Sequence, residues 1–259
     1  MKLDRNPFTH AIAAGEKQIG IWASLANAFA AEVIAHAGYD WALLDMEHTP
    51  ADYMAVLGQL QAFAATNTTA IVRPEWNDPV AVKRLLDLGA QGLLFPMIQS
   101  VEEAEKAVAA TRYPPRGMRG VSGATRATKF GRVTDYTDRV EDETTVILQL
   151  ETRLAISRAE EIAAVDGVTG IFFGPADIAA DIGHLGKPMH DDVWALIRPA
   201  AQKIIALGKP VGTLVLDPVF AASLLNEGFS FVAAGTDAAM LARAADATLA
   251  QVKSGLTTP

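Results

Sequence analysis

The sequence predicts an α/β protein built as a single (β/α)8 or TIM barrel, and three observations carry that expectation. Short β-rich runs alternate eight times with longer helical runs. Most of the short runs are continuously apolar, the pattern of strands buried on both faces in a parallel sheet covered by helices. Eight such units in 259 residues match the count and size of the barrel. A doubly wound open sheet, the competing architecture, ordinarily uses fewer.

Taken in order, the first strand is expected at 18–25 (QIGIWASL) with a helix over 26–37, and the second at 41–47 (WALLDME) with a helix near 51–63. The third strand, 69–73 (TAIVR), precedes a helix near 78–88, which Asp78-Pro79 opens and Gly89 closes. The fourth unit is 92–98 (GLLFPMI) with 101–112, and the fifth is 145–151 (TVILQLE) with one helix over 153–165. The sixth strand, 168–174 (VTGIFFG), leads into short helical pieces and a long helix over 191–207. The seventh, 210–216 (PVGTLVL), precedes 218–226, opened by Asp217-Pro218 and closed by Gly228. The eighth, 229–234, precedes 238–252. One domain over 1–259 is expected, interrupted by a long loop at about 113–143 that is rich in glycine, arginine and threonine. Loops this long are usually functional, so this one is expected near the active-site face or a subunit contact.

Composition narrows the function. Thirty acidic and 22 basic residues give a net charge of −8, which opposes nucleic-acid or anionic-lipid binding through a general basic field. The absence of cysteine excludes disulfides, thiolate zinc sites and a cysteine nucleophile. Neither a signal peptide nor a membrane span is evident, so a soluble cytoplasmic protein is expected.

In a (β/α)8 barrel the working groups sit at the C-terminal strand ends. Here those ends carry Asp45-Met46-Glu47-His48, Arg73, Gln149-Leu150-Glu151 and Gly174-Pro175-Ala176-Asp177. Glu151 and Asp177 fall on neighbouring strand ends and suit a hard divalent cation; salt-bridged or helix-capping acids are the other reading. His48, three residues after Asp45, reads as a general base beside an acid, or as a helix cap. Arg73 suits a carboxylate or a developing enolate oxygen, and also an ion pair with Glu47 or Glu151. The Gly174–Asp177 turn reads as a carboxylate cradle, and Gly235 with Asp237 as a phosphate cup that no multi-glycine loop supports. His10 and His36 look peripheral. His184 and His190 lie in a loop at no helical spacing, so zinc held by several imidazoles is disfavoured. No lysine ends a strand, which disfavours a Schiff base.

The strings WALLDMEHTPAD, VRPEWNDPVAVKRLLDLGAQGLLFPM, TRYPPRGMRGV, LQLET and GVTGIFFGPADIAADIG resemble the HpcH/HpaI aldolases, metal-dependent class II pyruvate aldolases. The resemblance runs from about residue 20 to 245 and implies a barrel whose last helix is exchanged with a neighbour in a homo-oligomer, a hexamer built as a trimer of dimers. It implies a divalent metal (Mg²⁺, Mn²⁺ or Co²⁺) on Glu151 and Asp177 with Gln149 nearby, and 2-oxo acid and aldehyde substrates. It further implies acid–base work by His48 supported by Asp45, and an enolate held by Arg73. The pyruvate carboxylate would lie on the backbone of Gly174, Pro175 and Ala176, and its methyl group against Leu214. Asp87 would come from an adjacent subunit. Met46 stands where many relatives have glycine, and 122–132 also departs from the pattern, which puts the preferred aldehyde in doubt rather than the reaction class. An acyl-CoA lyase on the same fold would need a basic groove, which only the 112–132 stretch supplies. A phosphate-handling isomerase lacks its glycine-rich cup. A catalytically idle barrel would be expected to have lost Glu151, Asp177, Arg73 or His48, and all four are present.

Overall fold

The computed structural model describes residues 1–256. Eight parallel strands close a barrel in sequence order: β1 (Gln18–Ala23), β2 (Trp41–Asp45), β3 (Thr69–Arg73), β4 (Gly92–Phe95), β5 (Thr145–Leu150), β6 (Gly170–Phe173), β7 (Val211–Val215) and β8 (Phe231–Thr236). The helices are α1 (Pro7–Ala13), α2 (Ala28–Ala35), α3 (Tyr53–Phe63), α4 (Pro79–Asp87), α5 (Val101–Thr111) and α6 (Tyr136–Arg139). They continue with α7 (Arg153–Ser157), α8 (Ala159–Ala163), α9 (Pro175–Asp181), α10 (Asp191–Ala206), α11 (Pro218–Asn226) and α12 (Asp237–Gly255). The expected barrel is the observed one.

Side chains alternate across each strand, and the two sets form separate cores. Outward residues such as Leu44, Val72, Leu93 and Phe173 pack under the helices. Inward residues such as Trp22, Trp41, Leu43, Ile71, Ile147 and Phe172 fill the barrel. Gly20 is required there, because a Cβ at that position would run into the Trp41 indole. From below, Phe8 of α1 meets Trp41 at 5.7 Å and Phe231 at 5.5 Å between ring centroids. Each fully buried aromatic of this kind contributes roughly 1.5–3 kcal/mol. This plug helix is not among the elements expected from the sequence.

The expected caps are present. Asp78 accepts from the N–H groups of Val80 (2.8 Å) and Ala81 (3.0 Å), and Asp217 does the same for Val219 (2.8 Å) and Phe220 (3.4 Å). The single helix expected over 153–165 is instead two, α7 and α8, broken at Arg158.

Of the two places expected for the 113–143 segment, the active-site face of its own barrel is not the one it takes. α5 runs antiparallel to β4, so the segment after it starts at the N-terminal end of the barrel, away from the strand C-termini. There the segment ties down the chain start: the Met1 amino group donates to the Arg132 carbonyl (2.9 Å) and Leu3 N–H to Asp135 (2.8 Å). It also braces the end of α4, with Ala127 N–H on the Asp87 carbonyl at 3.2 Å.

The last helix also stands apart. Of the 19 residues of α12, only Asp237 is buried, and Leu241, Leu249 and Val252 face outward. Phe29 and Val33 of α2 and Val219 of α11 are exposed too. In this fold an eighth helix packs between the first and the seventh, and α12 leaves that place uncovered.

Candidate active site

The alternation that fills the barrel also builds the site. Going up the inward positions, β2 presents Trp41, Leu43 and then Asp45, β3 presents Ile71 and then Arg73, and β5 presents Ile147 and then Gln149, with Glu151 next in parity. Apolar layers thus give way to charge at the strand C-termini. Asp45 and Arg73 are direct partners across β2 and β3. Arg73 Nε donates to Asp45 Oδ1 at 2.9 Å and Nη2 to Oδ2 at 2.8 Å, a bidentate pair. Trp22 Nε1 adds a third donor to Asp45 at 3.2 Å, and the guanidinium carbon lies 4.9 Å from the Trp22 ring centroid. Burial alone would raise the Asp45 carboxyl; the hydrogen bonds and charge of Arg73 overcome it and hold the group below its usual range.

Arg73 has a second side. Its Nη1 lies 2.8 Å from Glu47 Oε2 and 3.5 Å from Gln149 Oε1. Both ion-pair partners therefore sit on β2 and its C-terminal extension, and Glu151 is reached only through Gln149. Glu47 Oε2 is buried yet has no N–H aligned on it. Burial pushes the Glu47 carboxyl up against the pull of Arg73 and His48, and the charges of Asp45 and Asp177 push the same way.

The expected Asp45–His48 support is not formed. Asp45 reaches only the backbone N–H of His48, at 3.5 Å, because Arg73, Trp22 and the Glu47 N–H occupy its oxygens. The His48 imidazole faces Glu47 instead, at 3.8 Å, and is 64% exposed. Trp22 joins the site without having been expected there, and Glu47, expected as a possible ion-pair partner of Arg73, also faces His48. A signal for both exists in the sequence: 41, 43, 45 and 47 share one parity, as do 20 and 22, whereas His48 is out of step.

Glu151 is buried at the centre of the mouth. Its Oε1 accepts Met97 N–H at 2.7 Å and its Oε2 accepts Gln149 Nε2–H at 2.5 Å. Burial pushes its carboxyl up to about 7; the two hydrogen bonds oppose this, and the charges of Asp177 and Glu47 add to it. Asp177, half-buried in the first turn of α9, meets no donor or cation among the described residues. Gly174 permits this approach, since a Cβ there would lie 2.7 Å from Glu151 Oε2. The cradle is narrower than expected. The Gly174 N–H is committed to the Leu150 carbonyl at 3.2 Å and Pro175 has none, leaving the N–H groups of Ala176 and Asp177 as free donors.

Comparison with known proteins decides the family. The HpcH/HpaI aldolase/citrate lyase family matches residues 18–244. The chain belongs to this family. It is 51% identical to a pyruvate aldolase of Rhizobium etli, covering 97% of this chain and 99% of that one. It is 48% identical to a 4-hydroxy-2-oxo-heptane-1,7-dioate aldolase of Salmonella dublin, covering 95% and 94%. Among solved structures, an HpcH/HpaI aldolase/citrate lyase family protein from Burkholderia cenocepacia J2315 superposes with a TM-score of 0.90 at 37% identity, covering 96% and 99%.

Within this HpcH/HpaI barrel, Leu214 of β7 packs against the inner core near the mouth. Asp87 does not join the cluster of its own chain: it ends α4 at the opposite end of the barrel, 3.0 Å from Arg119. Asp237 is no phosphate cup, because its carboxylate is spent on the Ser24 and Leu25 N–H groups at 2.8 and 3.1 Å.

Proposed function

We propose that this chain is a class II pyruvate aldolase that reversibly cleaves 4-hydroxy-2-oxo acids to pyruvate and an aldehyde, for example 4-hydroxy-2-oxoheptanedioate to pyruvate and succinate semialdehyde. The observation that carries the reading is the continuous chain Asp45–Arg73–Gln149–Glu151 beside the free carboxylate of Asp177, in a family of aldolases. The donor set fits a hard divalent ion (Mg²⁺, Mn²⁺ or Co²⁺): three carboxylates converge, one lacks any partner, and a glycine keeps the space open. Glu151 and Asp177 would hold it, and when bound it would polarise the keto group and offset the crowded negative charge.

The protein's own groups supply the rest. The N–H groups of Ala176 and Asp177 point at the 2-oxo acid's carboxylate. Arg73, locked by Asp45, holds its charge where the pyruvate enolate oxygen develops. His48, beside Glu47, takes the C4 hydroxyl proton as the C3–C4 bond breaks; the bonding pair stays on C3 and the aldehyde leaves. Protonation at C3 then completes pyruvate. Leu214 lines the methyl side.

Asp87 is assigned to the neighbouring subunit's site, which fits its distance from its own. The uncovered place between α2 and α11 and the unsupported α12 favour exchange of that helix in a homo-oligomer, a trimer of dimers. Light scattering giving a monomer mass would remove both assignments. A cytoplasmic location completes the reading; among the described residues no helix is long and apolar enough to cross a membrane. An acyl-CoA lyase is disfavoured because the relatives at 48–51% identity over most of the chain are aldolases by name. The direct test is exchange of pyruvate methyl protons in deuterated water, monitored by NMR with Mn²⁺ or Mg²⁺ and with chelator. Metal-dependent exchange is expected; none with any metal, in folded protein, overturns the proposal.

A further inference from the structure

We propose that His184, His190 and Asp192 form a second metal site, for a borderline transition ion such as Zn²⁺ or Ni²⁺, on the loop between α9 and α10. Their sequence spacing is not helical, yet the fold brings them together. The His184 N–H closes α9 by donating to the Ala179 carbonyl. Gly183 and Gly186 then turn the chain at positive φ, +86° and +77°, and His190 becomes the N-cap of α10. The two imidazoles end up stacked, 3.7 Å between centroids and 15° between planes.

Asp192 Oδ2 lies 2.9 Å from His184 Nε2 and 3.6 Å from His190 Nδ1. One ligand atom from each of the three residues falls within 4.8 Å of the others. A tetrahedral ion with ligands at about 2.0–2.2 Å spaces them at about 3.4 Å. The two separations from Asp192 bracket that edge; a shared ion must lie in the plane of both rings, so the imidazoles would swing out of their stack to bind it, and both are partly exposed and free to do so. His184 would bind through Nε2 as the neutral tautomer with its proton on Nδ1, the metal bond replacing the hydrogen bond to Asp192. His190 would exchange one capping hydrogen bond, its Nδ1 accepting Asp192 N–H at 3.2 Å, for a metal bond. Solvent can fill the fourth position.

The chemistry separates this site from the mouth. Two imidazoles and a carboxylate favour zinc, nickel or copper, whereas the all-oxygen set of Glu151 and Asp177 favours magnesium or manganese. A bound ion would staple the loop that joins α9, the helix bearing Asp177, to α10.

Titration calorimetry of the metal-stripped full chain with Zn²⁺ tests this. The Glu151→Gln/Asp177→Asn double variant is expected to retain one Zn²⁺ per chain. Adding His184→Gln, or His190→Asn, which keeps a good helix cap, should weaken it at least as much as loss of a supporting hydrogen bond does, about 10- to 100-fold. Circular dichroism would confirm that each variant is folded. No Zn²⁺ uptake by the double variant, or uptake indifferent to both histidine changes, overturns the site. Mn²⁺ binding to the wild type, lost in the double variant, reports on the mouth separately, so either site can fail without the other.

Discussion

Glu143 and Glu151 stand at opposite ends of β5, both almost fully buried (4% and 2% exposed), and their environments drive them in opposite directions. Glu143 accepts from the Asn6 N–H at 2.7 Å, lies 3.0 Å from His10 Nε2 and pairs with Arg139 at 2.6 Å. Burial would raise its carboxyl, but those partners hold it below the usual range. Glu151 has one backbone N–H and one amide, and faces two further carboxylates. Its carboxyl is pushed up to about 7. Burial is common to both, so the sign is set by neighbouring charge. At the N-terminal end the acid is satisfied by its own chain; at the mouth it is left short of positive charge, which is the condition for binding a cation.

The strongest way to break this comparison is Glu151→Gln. Methyl-proton exchange should fall by about a thousandfold or more, the scale of losing a major electrostatic group, while the melting temperature holds or rises because a crowded charge is gone. Retained exchange would mean that the acid at the mouth is as structural as the one below. Next in size is Arg73→Lys, which keeps the charge but loses the fork on Asp45; kcat/KM should drop about 100-fold. Asp45→Asn should reproduce most of that loss, since Asp45 acts by aiming Arg73. Wild-type kcat/KM in Asp45→Asn would show that the bidentate pair does not position the guanidinium.

His48→Ala should slow carbon–carbon cleavage about 100-fold and disturb pyruvate proton exchange much less, with no change in stability, because the ring is largely exposed. Glu47→Gln should show the same split as His48→Ala. If Asp45→Asn shows it instead, the imidazole takes its support from Asp45 after all.

The barrel is legible in the sequence because strand burial and helix punctuation are local: continuous apolar runs, Asp-Pro openings and glycine closures need no tertiary knowledge. Asp45, Arg73, Gln149 and Glu151 are legible for the same reason, as polar residues closing apolar runs. Glu47 is legible as a possible partner of Arg73, but its place beside His48 escapes when the strand ends are taken as lists rather than by parity, which carries 41, 43 and 45 on to 47. The 113–143 segment lies away from the active-site face of its own barrel, one of its two expected places, because chain direction decides it: in a (β/α)8 unit the connection leaving a helix starts below. The plug helix α1 is hidden because seven residues with Phe8 and Ile12 buried become a core element only once a barrel floor exists to receive them. The His184–His190 stack escapes a search for helical spacing because two glycine turns, not a helix, close it.

The smallest expected effect sharpens the lower half of the comparison. Glu143→Gln leaves the mouth untouched, so activity per folded molecule should be unchanged, while stability falls by about 1–3 kcal/mol from the broken charged hydrogen bonds. For a chain of this length each kcal/mol lowers the melting temperature by roughly 2–4 °C. The pH dependence is set by the sign of the shift. Because the folded carboxyl titrates below its unfolded value of about 4.3, its stabilising contribution is complete above that pH and disappears as pH falls through the folded value. Thermal scans of the two proteins should therefore differ at pH 7 and converge in acid only as pH falls through the depressed folded value. A gap that persists unchanged in acid would show that Glu143 stabilises by packing rather than by charge, and the contrast with Glu151 would then be one of shape.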